Sequence, residues 1–160
     1  FLGGVQIDAY DNLNSTVIGA YDQPKVRFPG SGGANDFASF CWHTLVMTQH
    51  DARRFVEQVD FLTSPGYLTG PGAREEAGLP KGTGPYRVIT DLAVMGFDEE
   101  TKRMQVEYLH PGVSFEQVQK NTGFEILQVN DVRETEPPRQ NELRVLREEV
   151  DPHHYLIGRG

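Results

Sequence analysis

A glycine-rich turn is the part of this sequence whose residue types and spacing are best suited to chemistry. It consists of Gly30, Ser31, Gly32, Gly33, Ala34 and Asn35. Glycine lacks a Cβ atom, so its backbone can adopt positive φ and approach a ligand closely. Successive N–H groups in such a turn can surround an anion, and a following helix adds its positive end. The turn therefore predicts a site for a phosphate, a carboxylate or the oxyanion of an acyl-transfer reaction. The alternative is a plain connection between a strand and a helix.

The spacing of the turn narrows its possible ligands. A phosphate-binding P-loop ends in Gly-Lys-Ser/Thr, and a dinucleotide-binding turn has the pattern G-x-G-x-x-G. The glycine-rich turn fits neither pattern. Taken alone, the spacing of the glycine-rich turn does not distinguish among the remaining ligands.

Several other side chains with reactive or charged groups follow the turn. Cys41 and His43 are two residues apart on a predicted strand and share a face, which permits a nucleophilic pair, although flanking aromatic residues favour an inert thiol. His43 and His50 are too widely spaced for a metal site, and packing is the favoured role. Arg53 and Arg54 either hold a phosphate or carboxylate or form a solvated surface. We predict no metal site.

Composition limits the class of protein and its partners. The 160 residues predict one domain, and a net charge of −8 argues against nucleic acid and anionic membranes as partners. Cys41 is the only cysteine, so no disulfide can form within the chain, and we predict a cytoplasmic protein. No apolar run approaches the roughly 20 residues that span a bilayer. The chain begins without methionine or a signal sequence, and we expect it to begin inside a domain.

The elements that would position these residues are mostly strands. Val5, Ile7 and Ala9 alternate with polar residues, which predicts a half-buried strand, and the β-branched segment 15–19 is expected to pair with it as a hairpin. Further strands are predicted over 25–28, 42–48, 55–61, 86–97 (one bent strand or two), 103–109 and 126–129.

Helices are predicted between these strands. One covers 35–40, with Phe37, Ala38 and Phe40 as its apolar face, and another begins after Ser114, where Gln117 completes a capping box. A terminal helix is capped by Asn141 and places Leu143, Leu146 and Val150 on one face before Asp151-Pro152 ends it. Segment 63–85 is a long loop and 131–140 a surface connection. The fold class is α/β, with an open sheet and flanking helices.

An ordered series of motifs resembles the β subunit of glutaconate CoA-transferase and its relatives in family I of the CoA-transferases. The series runs in family order across nearly the whole chain. Its members are Gly4-Val5-Gln6-Ile7-Asp8, Asn12-Leu13-Asn14-Ser15-Thr16, Pro24-Lys25-Val26-Arg27, the glycine-rich turn, Gln49-His50-Asp51-Ala52-Arg53-Arg54-Phe55, Val59 to Gly66, Gly70-Pro71-Gly72-Ala73-Arg74-Glu75, Leu79-Pro80, Asn121-Thr122-Gly123-Phe124 and Arg147 to Pro152.

The resemblance implies an open α/β CoA-transferase fold and a homologous α subunit, with an (αβ)2 assembly. It implies coenzyme A as a substrate moiety, no permanently bound cofactor, and transfer of CoA between carboxylic acids through a glutamyl–CoA thioester. The turn would then donate N–H groups to the oxyanion. The implied substrate- and CoA-binding residues are Gly30, Ser31, Gly32, Gly33, Ala34, Asn35, Gln49, His50 and Arg54.

The catalytic glutamate of this family cannot be assigned within the chain. It lies upstream of the glycine-rich turn, whereas the first glutamate here, Glu57, follows the turn. We therefore expect residues 1–160 to be the C-terminal part of one β-subunit domain, whose N-terminal segment carries the nucleophile upstream of Phe1. Transfer is the leading reaction. Decarboxylation of a glutaconyl-CoA-like substrate, acyl-CoA hydrolysis and a non-catalytic assembly role are the alternatives.

Overall fold

A mixed sheet of five strands forms the centre of the fold. The computed structural model describes residues 1–156. The strands of the sheet lie in chain order, and the outer pairs are parallel while the middle three strands form an antiparallel meander. With its flanking helices, this sheet confirms the predicted α/β class. The strands are β5 (Thr44–Met47), β6 (Pro85–Ile89), β7 (Ala93–Phe97), β8 (Met104–Leu109) and β9 (Leu127–Glu134).

Two short hairpins precede the sheet. The first is formed by β1 (Gln6–Ile7) and β2 (Leu13–Asn14), and the second by β3 (Val17–Ile18) and β4 (Val26–Arg27). The predicted pairing of the first strand with 15–19 is therefore wrong. The turn that reverses the chain ends at Asn12, earlier than the sequence suggested, and 15–19 forms the start of the second hairpin.

Helices connect the strands. Helix α1 (Ala34–Phe40) links the glycine-rich turn to β5, and α3 (Phe115–Lys120) provides the crossover between β8 and β9. Ser114 caps α3 as predicted, because its Oγ accepts a hydrogen bond from the N–H of Gln117 at 3.2 Å. The long segment 63–85 includes one short helix, α2 (Ala73–Glu76). No helix among residues 1–156 has the length and apolar character that a membrane span requires.

Apolar side chains from neighbouring strands form the core in register. Val88 pairs with Met95, and Met95 pairs with Val106, so one buried row crosses β6, β7 and β8. Phe55 and Val118 pack into the same core from outside the sheet. Burial of each such side chain stabilises the fold by roughly 1.5–3 kcal/mol.

The predicted half-buried first strand is in fact buried on both sides. Gln6 and Asp8, expected to face solvent, are both buried. Gln6 Oε1 accepts from Asn14 Nδ2 at 2.7 Å and from the N–H of Asp60 at 2.9 Å. Asp8 accepts from the side chain and the N–H of Asn12. Because each polar group has a partner, burial is tolerated, and alternation alone could not reveal it.

Three further expectations are wrong in part. Phe37 and Phe40 are 59% and 62% exposed, so only Ala38 of the predicted apolar face is buried. Segment 55–61 makes a single bridge, between Phe55 and Ile7, instead of a strand. Strand β9 continues to Glu134 and includes residues predicted as a surface connection.

The C-terminal helix also differs from its prediction. Helix α4 (Gln140–Val145) begins after Arg139, whose N–H donates to Glu142 Oε2 at 2.8 Å, so Asn141 lies inside the helix and is not its cap. The helix widens into a π-helical turn over Leu146–Val150, and neither part contains a buried residue. Of the predicted apolar face, Leu143 and Leu146 are half-buried and Val150 is exposed, so the described chain covers this face only in part.

Candidate functional site

The glycine-rich turn leaves β4 and leads directly into α1. Gly30 has φ +92° and Gly32 has φ +50°, both in the region that favours glycine. A Cβ atom placed on either residue would meet nothing within 4 Å. The turn is therefore open on the side from which a ligand would approach.

Hydrogen bonds from two side chains fix the turn to other segments. Ser15 Oγ donates to the carbonyl oxygen of Gly30 at 3.0 Å, and the N–H of Gly30 donates to the carbonyl oxygen of Ser15 at 3.0 Å. Asn35 Nδ2 donates to the carbonyl oxygen of Thr63 at 2.8 Å. The Oγ1 atom of Thr63 in turn accepts from the N–H of Ser15 at 2.9 Å. Sequence reasoning missed Ser15 and Thr63 as supports of the turn, although both lie in the motifs of the resemblance.

Three successive amides of the turn have no acceptor. Within residues 1–156, the N–H groups of Ser31, Gly32 and Gly33 make no hydrogen bond, whereas the N–H of Ala34 donates to the carbonyl oxygen of Ser31 at 2.9 Å. Consecutive free N–H groups in a turn that changes between right- and left-handed backbone form an anion-binding concavity. The geometry can therefore receive a negatively charged oxygen.

Gln49 and Arg54 line a second feature, an open groove of about 410 Å³. Its wall includes Phe28, two residues before the glycine-rich turn. Arg54 is half-buried and donates from Nη1 to the carbonyl oxygen of Gly4 at 2.7 Å, while its Nε is buried without a partner. The bond to Gly4 therefore holds the guanidinium in place at the wall of the groove.

Arg53, beside Arg54, is exposed and bonded to Asp51 at 2.8 Å. Hydrogen bonds and charge from Arg53 hold the pKa of the Asp51 carboxyl well below its usual range. Both arginines proposed as an anion clamp line the groove, but Arg54 is anchored to the backbone of Gly4, whereas Arg53 is paired with Asp51 at the surface.

His50 does not join the other candidate residues. Its ring is buried and stacks on Phe55 with centroids 4.1 Å apart. Nδ1 lies 3.1 Å from Thr90 Oγ1, and Nε2 lies 2.9 Å from Thr122 Oγ1. Burial lowers the pKa of His50 to about 4, against a raising effect of Asp91. In this geometry the imidazole is neutral and joins three segments of the fold, with neither nitrogen directed at the groove or the turn.

The possible Cys41–His43 pair is not formed. Cys41 is half-buried, and its backbone bonds to Phe37 and Gly84. The His43 ring stacks on Tyr86 with centroids 4.5 Å apart. No group of three or more metal-ligating side chains occurs among the residues that the structure describes. Among the candidate residues that the structure describes, the free amides and Arg54 are therefore the groups that present hydrogen-bond donors to a negatively charged ligand.

The fold and the open turn define an α/β protein with a row of unbonded backbone amides at a strand-to-helix connection. The sequence profile of the Coenzyme A transferase family matches residues 1–121. The chain belongs to the Coenzyme A transferase family.

Relatives within this family are subunits of heteromeric enzymes. The chain is 49% identical to a glutaconate CoA-transferase subunit of Acidaminococcus fermentans over 98% of its own length and 58% of that protein. It is 44% identical to a 3-oxoadipate CoA-transferase subunit of Pseudomonas knackmussii over 92% of its length and 56% of that protein. It thus spans somewhat over half the length of these relatives.

Solved structures agree with this likeness. The crystal structure of the Acidaminococcus fermentans glutaconate CoA-transferase superposes with a TM-score of 0.94 at 48% identity, covering all of this chain and 61% of that one. The structure of IpdAB from Rhodococcus jostii superposes with a TM-score of 0.80 at 30% identity, covering 96% of this chain and 60% of that one. The corresponding IpdB protein is named a cholesterol ring-cleaving hydrolase subunit.

Proposed function

We propose that residues 1–160 form the C-terminal part of the β subunit of a heteromeric CoA-transferase, which moves CoA between a (di)carboxylic acyl-CoA and an acceptor acid. The observation that carries the proposal is the row of three free amides in an open turn. Such donors stabilise negative charge that develops on a carbonyl oxygen, and removing one commonly lowers kcat about 10²–10³-fold. The likeness to two CoA-transferase subunits supports the choice of a thioester carbonyl as the ligand.

In the proposed reaction, a glutamate carboxylate attacks the thioester carbonyl. The carbonyl oxygen becomes an oxyanion and accepts hydrogen bonds from the amides of Ser31, Gly32 and Gly33. The C–S bond then breaks, which gives an acyl–glutamyl anhydride and CoA thiolate. The thiolate attacks the glutamyl carbonyl of the anhydride. The acyl group of the substrate leaves as its carboxylate, and the enzyme retains CoA as a glutamyl–CoA thioester. The reverse sequence on the acceptor acid completes the transfer.

The glutamate in this scheme comes from a segment of the same subunit that precedes Phe1. No glutamate lines the groove of Gln49 and Arg54 in the described chain. The homologous α subunit would close the site from the other side, in an (αβ)2 assembly, and CoA would enter as substrate without a permanently bound cofactor. A cytoplasmic location stays a prediction.

We assign different roles to the predicted binding residues. The glycine-rich turn, from Gly30 to Asn35, faces the thioester, and Gln49 and Arg54 contact a polar or anionic part of the acyl-CoA. His50 supports the groove from inside the fold, because both of its ring nitrogens already have hydroxyl partners.

A second candidate function is acyl-CoA hydrolysis on the same scaffold. It is favoured by the likeness to the Rhodococcus jostii protein, which is named a hydrolase subunit. In that reaction the turn would stabilise the same kind of oxyanion, with water as the attacking group. A decarboxylase would instead use the turn to stabilise a thioester enolate.

The test uses the complete enzyme, by which we mean the full-length subunit together with its partner subunit. It is incubated with glutaconyl-CoA or 3-oxoadipyl-CoA and acetate. Transfer predicts acetyl-CoA formation without net release of free thiol. Free CoA released without acetate would support hydrolysis, and CO2 release would support decarboxylation. Absence of both turnover and CoA-ester binding would support a non-catalytic assembly role.

A further inference from the structure

We infer that Arg74 is a positioning residue for the glycine-rich turn and acts through helix α1. The inference rests on the proposed function, since it assigns a consequence to the orientation of that turn. Arg74 lies in the motif Gly70 to Glu75, whose role the proposed reaction does not explain. The residue is 3% exposed, although it carries a charged guanidinium.

Backbone carbonyls surround the guanidinium of Arg74. Nη2 donates to the carbonyl oxygens of Ala38 at 3.0 Å and Ser39 at 3.2 Å, both in the last turn of α1. Nη1 donates to the carbonyl oxygens of Gly66 at 2.7 Å and Pro65 at 3.2 Å. The last carbonyls of a helix lack partners within the helix and carry partial negative charge. One cation therefore joins the end of α1 to the beginning of the long segment 63–85.

The surroundings of Arg74 are built to hold it. Nη2 also lies 3.0 Å from Thr83 Oγ1. Gly84, with φ +126°, passes so close that a Cβ atom there would lie 3.0 Å from Arg74 Nε. Asp11 is buried, and burial raises its pKa well above the usual value, with a further increase from Asp8 and an opposing decrease from Arg74. Compensation for the buried charge thus comes mainly from oriented carbonyl dipoles, and the Nε atom of Arg74 has no hydrogen-bond partner among the described residues.

Helix α1 is consequently fixed to the same segment at both ends. At its beginning, Asn35 Nδ2 donates to the carbonyl oxygen of Thr63. At its end, Arg74 joins Ala38 and Ser39 to Pro65 and Gly66. The helix has seven residues, or about 10 Å, so a change of its axis at one end moves the turn at the other. Segment 63–85 therefore holds α1 in place and so fixes the direction in which the three free amides point.

The test compares three variants of the complete enzyme in the CoA-transfer assay. Arg74→Met keeps much of the side-chain length and removes all five donors, whereas Arg74→Lys keeps a charge that reaches only part of the carbonyl set. Arg87→Met is the matched control, because it removes a half-buried arginine paired with Glu107 at 2.9 Å on the sheet. Melting temperatures and amide hydrogen exchange are measured on the same samples.

For Arg74→Met we expect kcat to fall about 10-fold or more, with KM changed less than about 3-fold. The reason is that the free amides no longer point at the oxyanion of the transition state, whereas the contacts to CoA remain. Arg74→Lys should show a smaller loss. In both variants, amide exchange over residues 31–41 should rise about 10-fold while that of β8 stays unchanged. Arg87→Met should lower the melting temperature without either change.

A folded Arg74→Met or Arg74→Lys enzyme with wild-type kcat and wild-type exchange over 31–41 would overturn the inference. So would a loss of kcat no larger than that of Arg87→Met. If the wild-type enzyme transfers no CoA, the proposed function fails, and the exchange of 31–41 still decides whether Arg74 fixes the turn.

Discussion

Ser15 and Gly30 are joined by two reciprocal hydrogen bonds, each 3.0 Å long. The Ser15 hydroxyl donates to the carbonyl oxygen of Gly30, and the N–H of Gly30 donates to the carbonyl oxygen of Ser15. This pair fixes the first residue of the glycine-rich turn to the second hairpin. Because the Gly30 carbonyl and the Ser31 N–H belong to one planar peptide group, the Ser15 hydroxyl also orients the first of the three free amides.

Ser15→Ala should therefore lower kcat for CoA transfer by about 10-fold, while the free energy of unfolding falls by about 1 kcal/mol. Ser114→Ala is the matched control, because Ser114 accepts a bond of similar strength at the cap of α3. It should lower stability by a similar amount and leave kcat unchanged. Steady-state kinetics and urea unfolding measure both effects. Equal kcat values in the two variants would show that the Ser15 bond only stabilises the fold.

A side chain in the turn should block turnover. Gly32→Val places a branched side chain in the open space beside the free amides, and Gly33→Val places one beside the same amides, with its Cβ 3.4 Å from the Phe37 ring. We expect both variants to assemble with the partner subunit and to lose transfer activity. Gly112→Val is the control for backbone strain, since Gly112 has φ +78° and equally open surroundings. That strain amounts to roughly 1–2 kcal/mol. Wild-type activity in Gly32→Val and Gly33→Val would show that the turn is structural.

Substitution of Arg54 and substitution of Arg53 should have different effects on the KM for acyl-CoA. Arg54→Met should raise KM for the acyl-CoA by about 10-fold, because a fixed guanidinium in the groove is lost. Arg53→Met should change KM less than about 2-fold, because Arg53 forms an exposed ion pair with Asp51. Initial rates over a range of acyl-CoA concentrations measure both values. An equal effect of the two substitutions would remove Arg54 from the predicted binding set.

His50 should make the fold less stable in acid. Its pKa is about 4 in the folded chain and ordinarily about 6.5. The unfolded chain therefore binds the proton first, and stability falls as the pH is lowered from about 6.5 to about 4. The contribution of His50 to this fall is on the order of 2–3 kcal/mol.

Urea unfolding at pH 7 and pH 4 measures this contribution. His50→Gln should be less stable than the wild type at pH 7, because two buried hydroxyls lose their imidazole partner. Its loss of stability between the two pH values should nevertheless be smaller. An unchanged difference between pH 7 and pH 4 would show that other groups are responsible for the acid sensitivity.

The elements that depend on local pattern were predictable from the sequence. Strands β5 to β8 are apolar segments between turn residues, and α1 follows a run of glycines, so their type and approximate position follow from short-range preferences. The glycine-rich turn is likewise evident from its residue types alone. The predicted use of its amides on a thioester rests on the family resemblance and stays a prediction.

The features that depend on distant partners were not predictable. Gln6 is buried because Asn14 and the backbone of Asp60 satisfy its amide, and no alternation pattern encodes such a partner. His50 has the residue type of a ligand-binding group, but hydroxyls 40 and 72 residues away enclose it. Arg74 has the sequence context of a surface charge beside two glutamates, whereas its acceptors on α1 lie 36 and 35 residues earlier.

The most direct measurement is the mass of the full-length subunit after incubation of the complete enzyme with acyl-CoA in the absence of an acceptor acid. We predict an increase equal to one CoA less one water, as for a CoA thioester of a glutamate that lies outside residues 1–160. We also predict that the adduct is absent from Gly32→Val. An adduct on a residue of this chain, or free CoA released with no adduct on the enzyme, would contradict the proposed mechanism.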